Sequence, residues 1–133
     1  MAHEEERMNN LNSVLIEGTL RRDPRMVIED NGKTITEFSI SSERNYKRDD
    51  QYHKEVSLFD IHVFGKQAQA CSEHLTEGRN VRIVGRLKQE LRGDNGEIKS
   101  NVFIFLSKEN SYINYSNPLN YFKIVTKFYI RIK

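Results

Sequence analysis

Residues 57–88 read SLFDIHVFGKQAQACSEHLTEGRNVRIVGRLK, and this stretch decides the fold. Its first third alternates as a strand must, with Phe59, Ile61 and Val63 on one face and Leu58, Asp60, His62 and Phe64 on the other. The first set is read as core and the second as an outer surface. Gln67 to Leu75 then carries Ala68, Cys71 and Leu75 at spacings of three and four, the stripe of a short helix laid on a sheet. Gly78 is expected at its left-handed cap. From Asn80 to about Leu91 the alternation returns, with Val81, Ile83, Gly85 and Leu87 inward and Arg82, Val84, Arg86 and Lys88 outward. Three cations in an outward row without an acid among them suit an anionic partner.

Upstream, Asn12 to Leu20 reads as a first strand in which Gly18 permits a bulge or a close backbone approach. Arg21-Arg22-Asp23-Pro24 ends it, because proline cannot continue a ladder. Met26 to Ile28 reads as a short strand closed by Asp30-Asn31-Gly32, whose Asn-Gly pair is expected to supply the positive φ values of a tight hairpin. Ile35 to Ser41 alternates, with Phe38 and Ile40 inward. The charged run from Ser42 to Glu55 is a solvated hairpin arm or loop in which Tyr46 and Tyr52 lie among Arg44, Lys47, Arg48, His53 and Lys54. Rings interleaved with cations recur in nucleic-acid grooves. They are equally the pattern of an exposed hairpin anchored by two tyrosines.

Downstream, Asp94-Asn95-Gly96 marks a hairpin turn, and Lys99 to Leu106 forms a fifth strand. Val102, Ile104 and Leu106 share one of its faces, Asn101, Phe103 and Phe105 the other. Both faces are apolar, so one is expected to be core and the other a contact with the helix or a second subunit.

The 133 residues suffice for one domain. No run of apolar residues is long enough to span a membrane, and the acidic start through Glu4, Glu5 and Glu6 lacks the pattern of a secretory signal. Cys71 is the single cysteine, which excludes an internal disulfide and fits a reducing, cytoplasmic setting. It falls on the apolar stripe and is read as a small buried hydrophobe. The net charge of +2 is uneven: residues 111–133 carry +4, so the remaining 110 sum to −2. Placement rather than total charge must carry a nucleic-acid argument. No nucleotide-binding glycine fingerprint is present, and His3, His53, His62 and His74 are too scattered for a zinc site. No catalytic residue, metal or cofactor is expected.

Five strands with a helix between the third and fourth is the layout of the oligonucleotide/oligosaccharide-binding (OB) barrel. The residues also resemble the bacterial single-stranded DNA-binding protein (SSB) family. The resemblance runs through Asn12 to Leu20 with Asp23-Pro24 after it, Phe38-Ser39-Ile40, Phe64-Gly65-Lys66, Ala68, Ala70, Ser72-Glu73, Leu75, Gly78, and Val81 to Leu87, covering about residues 10–106. It implies an all-β, five-stranded OB barrel that assembles as a homotetramer and coats single-stranded DNA in replication, recombination and repair, without catalysis, in the bacterial cytoplasm at the nucleoid. The family stacks bases at positions matched here by Tyr46, Leu58, Phe64 and Arg92. Tyr46 and Phe64 keep a ring. Leu58 does not, and Arg92 offers only a guanidinium plane.

The expected backbone contacts are Arg82, Arg86 and Lys88, joined by Lys47, Arg48 and Lys54 from the arm and by Lys66, Arg21 and Arg22. Asn12 to Leu20 is the candidate for pairing across a two-fold axis. The expected division is a flexible extension over 1–9, the OB domain over 10–108, and a basic, apolar segment over 109–133. In that segment the family has a flexible linker and an acidic tip that recruits replication and repair proteins. This sequence instead has a basic stretch, read as an added strand, an interface element or an altered frame. The alternative reading is an OB-fold accessory or primosome-like module in which protein contacts dominate and DNA binding is secondary.

Overall fold

The computed structural model describes residues 9–107, 111–115 and 123–125; most of the expected N-terminal extension and much of 109–133 lie outside them. Eight strands and one helix follow in the order β1 (Val14–Leu20), β2 (Arg25–Ile28), β3 (Thr34–Arg48), β4 (Gln51–Phe64), α1 (Lys66–His74), β5 (Asn80–Asp94), β6 (Glu97–Leu106), β7 (Tyr112–Tyr115) and β8 (Lys123–Val125). Five of them close a ring. β1 pairs with β3 at Thr19↔Ser41, β3 with β4 from Ile35↔Phe64 to Arg48↔Gln51, and β4 runs parallel to β6 at Ile61↔Ile104. β6 then pairs with β5, and β5 returns to β1 from Val14↔Gly85 to Thr19↔Asn80. This is the expected OB barrel.

The core is the inward rows of those strands. Leu20, Phe38, Ile40, Ile61, Val63, Val81, Ile83, Ile104 and Leu106 are buried together, and α1 adds Ala68 and Cys71, with Leu75 just past its end. Thr36, also fully buried, donates its hydroxyl to the Ala68 carbonyl at 2.6 Å, which fixes the helix on β3 without leaving that hydroxyl unpaired. Burial pushes the Cys71 thiol up to about 12, so at neutral pH it stays protonated and behaves as the small hydrophobe expected. Gly18 is needed for packing: a Cβ there would lie 2.6 Å from the Ser41 carbonyl oxygen, where β1 leaves β5 and reaches β3. Beyond the end of β1 the Asn12 side chain takes over as a ladder partner. It donates to the Leu87 carbonyl at 2.8 Å and accepts from the Leu87 amide at 2.9 Å.

Several local expectations are corrected. Gly78 has positive φ but sits beyond the helix, where Leu75 in extended conformation is the cap. At the β2–β3 turn only Gly32 takes positive φ; Asn31 instead accepts the Lys33 amide on its side chain. Of the two readings open for the charged run from Ser42 to Glu55, hairpin arm or loop, the structure has the arm. It is paired to its tip, where Asp49 and Asp50 both adopt positive φ, the backbone of a two-residue primed turn. Leu87 is expected in the inward row, yet it is 47% exposed, because β1 last pairs with β5 at Val14↔Gly85 and no strand residue of β1 reaches Leu87.

Beyond the ring, β7 pairs with Val81–Val84, residues of β5 already bonded to β1 on the other edge, and β8 pairs with β7. β7 sends Ile113 and Tyr115 into the core cluster. Part of the unusual C-terminal stretch is therefore strand.

Candidate nucleic-acid interface

The outer faces of β4, β6 and β5 lie side by side, and their alternation presents a continuous patch. His62 stacks on Phe103 with ring centroids 3.9 Å apart, and Phe64 leans on Phe105 at 4.5 Å. From the next strand the Arg86 guanidinium sits 4.5 Å above the Phe105 ring, with the Lys88 ammonium at 4.8 Å. Phe105 is thus a floor, roofed by two cations and a half-buried ring. This corrects the expectation for β6: its second apolar row is buried under His62, Phe64, Arg86 and Lys88. The ring quadrupole attracts a cation held over its face and so helps to position both side chains.

Beside the patch lies an open cleft of about 810 Å³. Its walls are the β1–β2 connection with Arg21 and Arg22, the start of β2 with Arg25, the outer faces of β3 and β4 with Glu37, Ser39, Asp60 and His62, and the β5–β6 hairpin with Glu90, Lys99 and Asn101. Those connections flank the ligand groove in OB barrels generally. Among the described residues, four cations and four carboxylates line it together. Some acids are already engaged: Glu37 meets Arg25 at 3.4 Å, and Asp23 accepts the Glu77 amide at 2.9 Å. Ser39 donates to Asp60 Oδ1 at 2.7 Å. Burial holds His62 below its usual range, and Lys88 lowers it further, outweighing the upward pull of Glu37, Glu90 and Asp60.

The expected cations do not form one row. Arg86 and Lys88 share the aromatic patch and Arg21 and Arg22 the cleft, with Lys66 exposed at the start of α1. Arg82, of the same parity as Arg86, lies where β5 pairs with β1, and its Nε and Nη2 both reach Glu17 Oε1, at 2.7 and 2.6 Å. Its charge is compensated there. On the arm, Lys54 meets Glu43 at 3.1 Å and Lys47 approaches Asp50 at 3.9 Å, while Arg48 is exposed near the tip.

The expected stacking residues also divide. Leu58 is 55% exposed on the outer face of β4 with Phe64. Tyr46 pairs in register with His53 and stacks on it at 5.3 Å, on the opposite face of the same ladder, with Arg44 5.0 Å from its ring. The backbone of Arg92 pairs in register with that of Lys99 in the β5–β6 hairpin. Phe103, Phe105, Arg25, Lys99 and Asn101 were missed as site residues. The signal was present in the alternation Lys99, Asn101, Phe103, Phe105, but nothing local said what covers that row.

The family model described as the single-strand binding protein family matches residues 11–110. Among curated relatives, the single-stranded DNA-binding protein of Borreliella burgdorferi is 30% identical over 114 residues, covering 84% of this chain and 76% of that one. The one from Treponema pallidum is 32% identical over 97 residues, covering 73% of this chain and 55% of its own length. The structure is similar to that of the Plasmodium falciparum SSB in complex with single-stranded DNA, with a TM-score of 0.75 over 84% of this chain and 99% of that one. At 18% identity that likeness speaks to fold alone.

Proposed function

The chain belongs to the single-strand binding protein family, and from that premise we propose that it binds and protects single-stranded DNA in replication, recombination and repair without catalysing a reaction. The observation that carries the proposal is the Phe64–Phe105 pair roofed by Arg86 and Lys88 on the outer face of the barrel. Stacking surface and phosphate-binding charge are the two requirements of sequence-tolerant single-strand binding, because every base has a π face and every nucleotide a phosphate.

In the proposed path the strand crosses the outer faces of β3, β4 and β5. Bases lie on Phe64 and on the Arg86 guanidinium, with Leu58 as a flat apolar contact and Tyr46 and Arg92 met by strand continuing round the arm and the β5–β6 hairpin. Lys88, Arg21, Arg22 and Lys66 take phosphates, with Lys47, Arg48 and Lys54 along the arm. Arg82 contributes least, being held by Glu17. The proposed assembly is a homotetramer. Val14 to Gly18 use one edge on β5, and only Thr19 and Leu20 pair with β3 on the other; Leu15 beside them is 68% exposed. An exposed strand edge invites pairing with a second copy.

Fluorescence anisotropy with labelled mixed-sequence oligonucleotides, single-stranded and duplex, at two salt concentrations tests the reading, with light scattering to report assembly. Strong preference for the single strand, weakening with salt, is expected. Equal affinity for duplex, or negligible binding to either, would overturn it.

A further inference from the structure

Asp60 is misplaced for a surface that only holds phosphates. It lies on the outer face of β4 between Leu58 and His62 and lines the cleft with Glu37, Glu90, Asn101 and the cations. Ser39, directly opposite in the β3–β4 register, donates its hydroxyl to Asp60 Oδ1 at 2.7 Å, so the carboxylate is oriented. Its other oxygen remains an acceptor. Two residues along the strand, the imidazole of His62 lies flat on Phe103, which sets an aromatic wall beside that acceptor. An oriented acceptor next to an aromatic wall can bind the edge of a base.

We propose that Asp60, positioned by Ser39, reads the exocyclic amine of a base entering this cleft, and so biases the protein toward cytosine over thymine. The inference rests on the single-strand reading above. The chemistry is one-directional. A carboxylate accepts from the cytosine N4 amine, as it does in groove readout of duplex DNA, whereas thymine presents a carbonyl at the same position and two acceptors repel. Arg21, Arg22 and Lys99 in the cleft hold the flanking phosphates, which offsets the repulsion between Asp60 and the backbone. Stacking and phosphate contacts still supply most of the affinity, so the preference is modest. At an exposed site one such hydrogen bond corresponds to a ratio of about fivefold, the low end of base readout.

The test compares labelled oligo-dC and oligo-dT of equal length on the wild-type protein and on Asp60→Asn, with Ser39→Ala as a second variant. Asparagine retains the shape and an oxygen for Ser39 but can also donate to a thymine carbonyl. Wild type is expected to have a dC-to-dT affinity ratio about fivefold above that of Asp60→Asn, and Ser39→Ala to lower the ratio by freeing the carboxylate. A ratio that is unchanged or higher in Asp60→Asn while both affinities rise together overturns the inference, because Asp60 would then act as a repulsive charge only. Failure to bind either oligonucleotide would overturn the single-strand reading itself and this inference with it.

Discussion

His62 stands under opposing influences. Burial on Phe103 favours the neutral imidazole and Lys88 acts in the same sense, while Glu37, Glu90 and Asp60 favour the cation, and burial wins. The folded-state pKa therefore lies below the 6.5 of a free histidine. Below 6.5 the unfolded chain takes up a proton that the folded chain refuses, so the stabilisation is complete above that pH and is lost as pH falls toward the folded value. The urea midpoint of the wild type is expected to drop between about pH 7 and about pH 5, and that of His62→Phe, which keeps the ring pair without the titration, to drop less. Equal slopes for the two would remove His62 from the account. The sequence placed His62 outward by parity; its partner on β6 depends on a contact between strands more than 40 residues apart, which no local pattern encodes.

At the scale of elements, alternation and turn chemistry predicted most of the barrel. The rows of β4 and, as far as Gly85, of β5 separate as their parity requires, and the Asn95-Gly96 turn carries positive φ at both positions. What escaped was β7. Tyr112–Tyr115 is too short for its periodicity to stand out, and it is a strand because β5 offers a free edge there. Ile113 is fully buried by that pairing. Ile113→Ala is expected to lower unfolding stability by about 2–5 kcal/mol in urea denaturation, as for other buried large-to-small changes. A loss well under 1 kcal/mol would mean that β7 is not docked as the structure has it. The β3–β4 arm makes the complementary point: dense charge left hairpin arm and loop both open, and the arm forms because Asp49 and Asp50 tolerate the left-handed conformation a short turn needs, so the ladder runs to the tip.

For the whole molecule, the net charge of +2 says little, and the distribution of charge does the discriminating. Glu17 neutralises Arg82, and Glu43 and Asp50 attend the lysines of the arm, whereas Arg86 and Lys88 face solvent over an aromatic ring. Phosphate contacts release counterions and set the salt dependence, so the two sets of cations should differ. Replacing Arg86 and Lys88 together by alanine is expected to weaken single-strand binding and flatten the plot of log affinity against log salt by about 1.4, from roughly 0.7 per single-strand phosphate contact. Arg82→Ala should leave the slope nearly unchanged. The reverse ranking would move the DNA path onto the β1–β5 face.

The sequence by itself determined the barrel, because alternation, the amphipathic stripe of α1 and the Gly-containing turns are local consequences of how side chains partition between water and core. It also determined that Phe64, Arg86 and Lys88 face outward. Only the tertiary structure decided which outward residues act together, because that depends on which strands become neighbours. Parallel pairing of β4 with β6 put His62 and Phe64 against Phe103 and Phe105, β1 beside β5 gave Arg82 to Glu17, and β3 opposite β4 set Ser39 on Asp60. Parity sets the face of one strand, but a site is assembled across several.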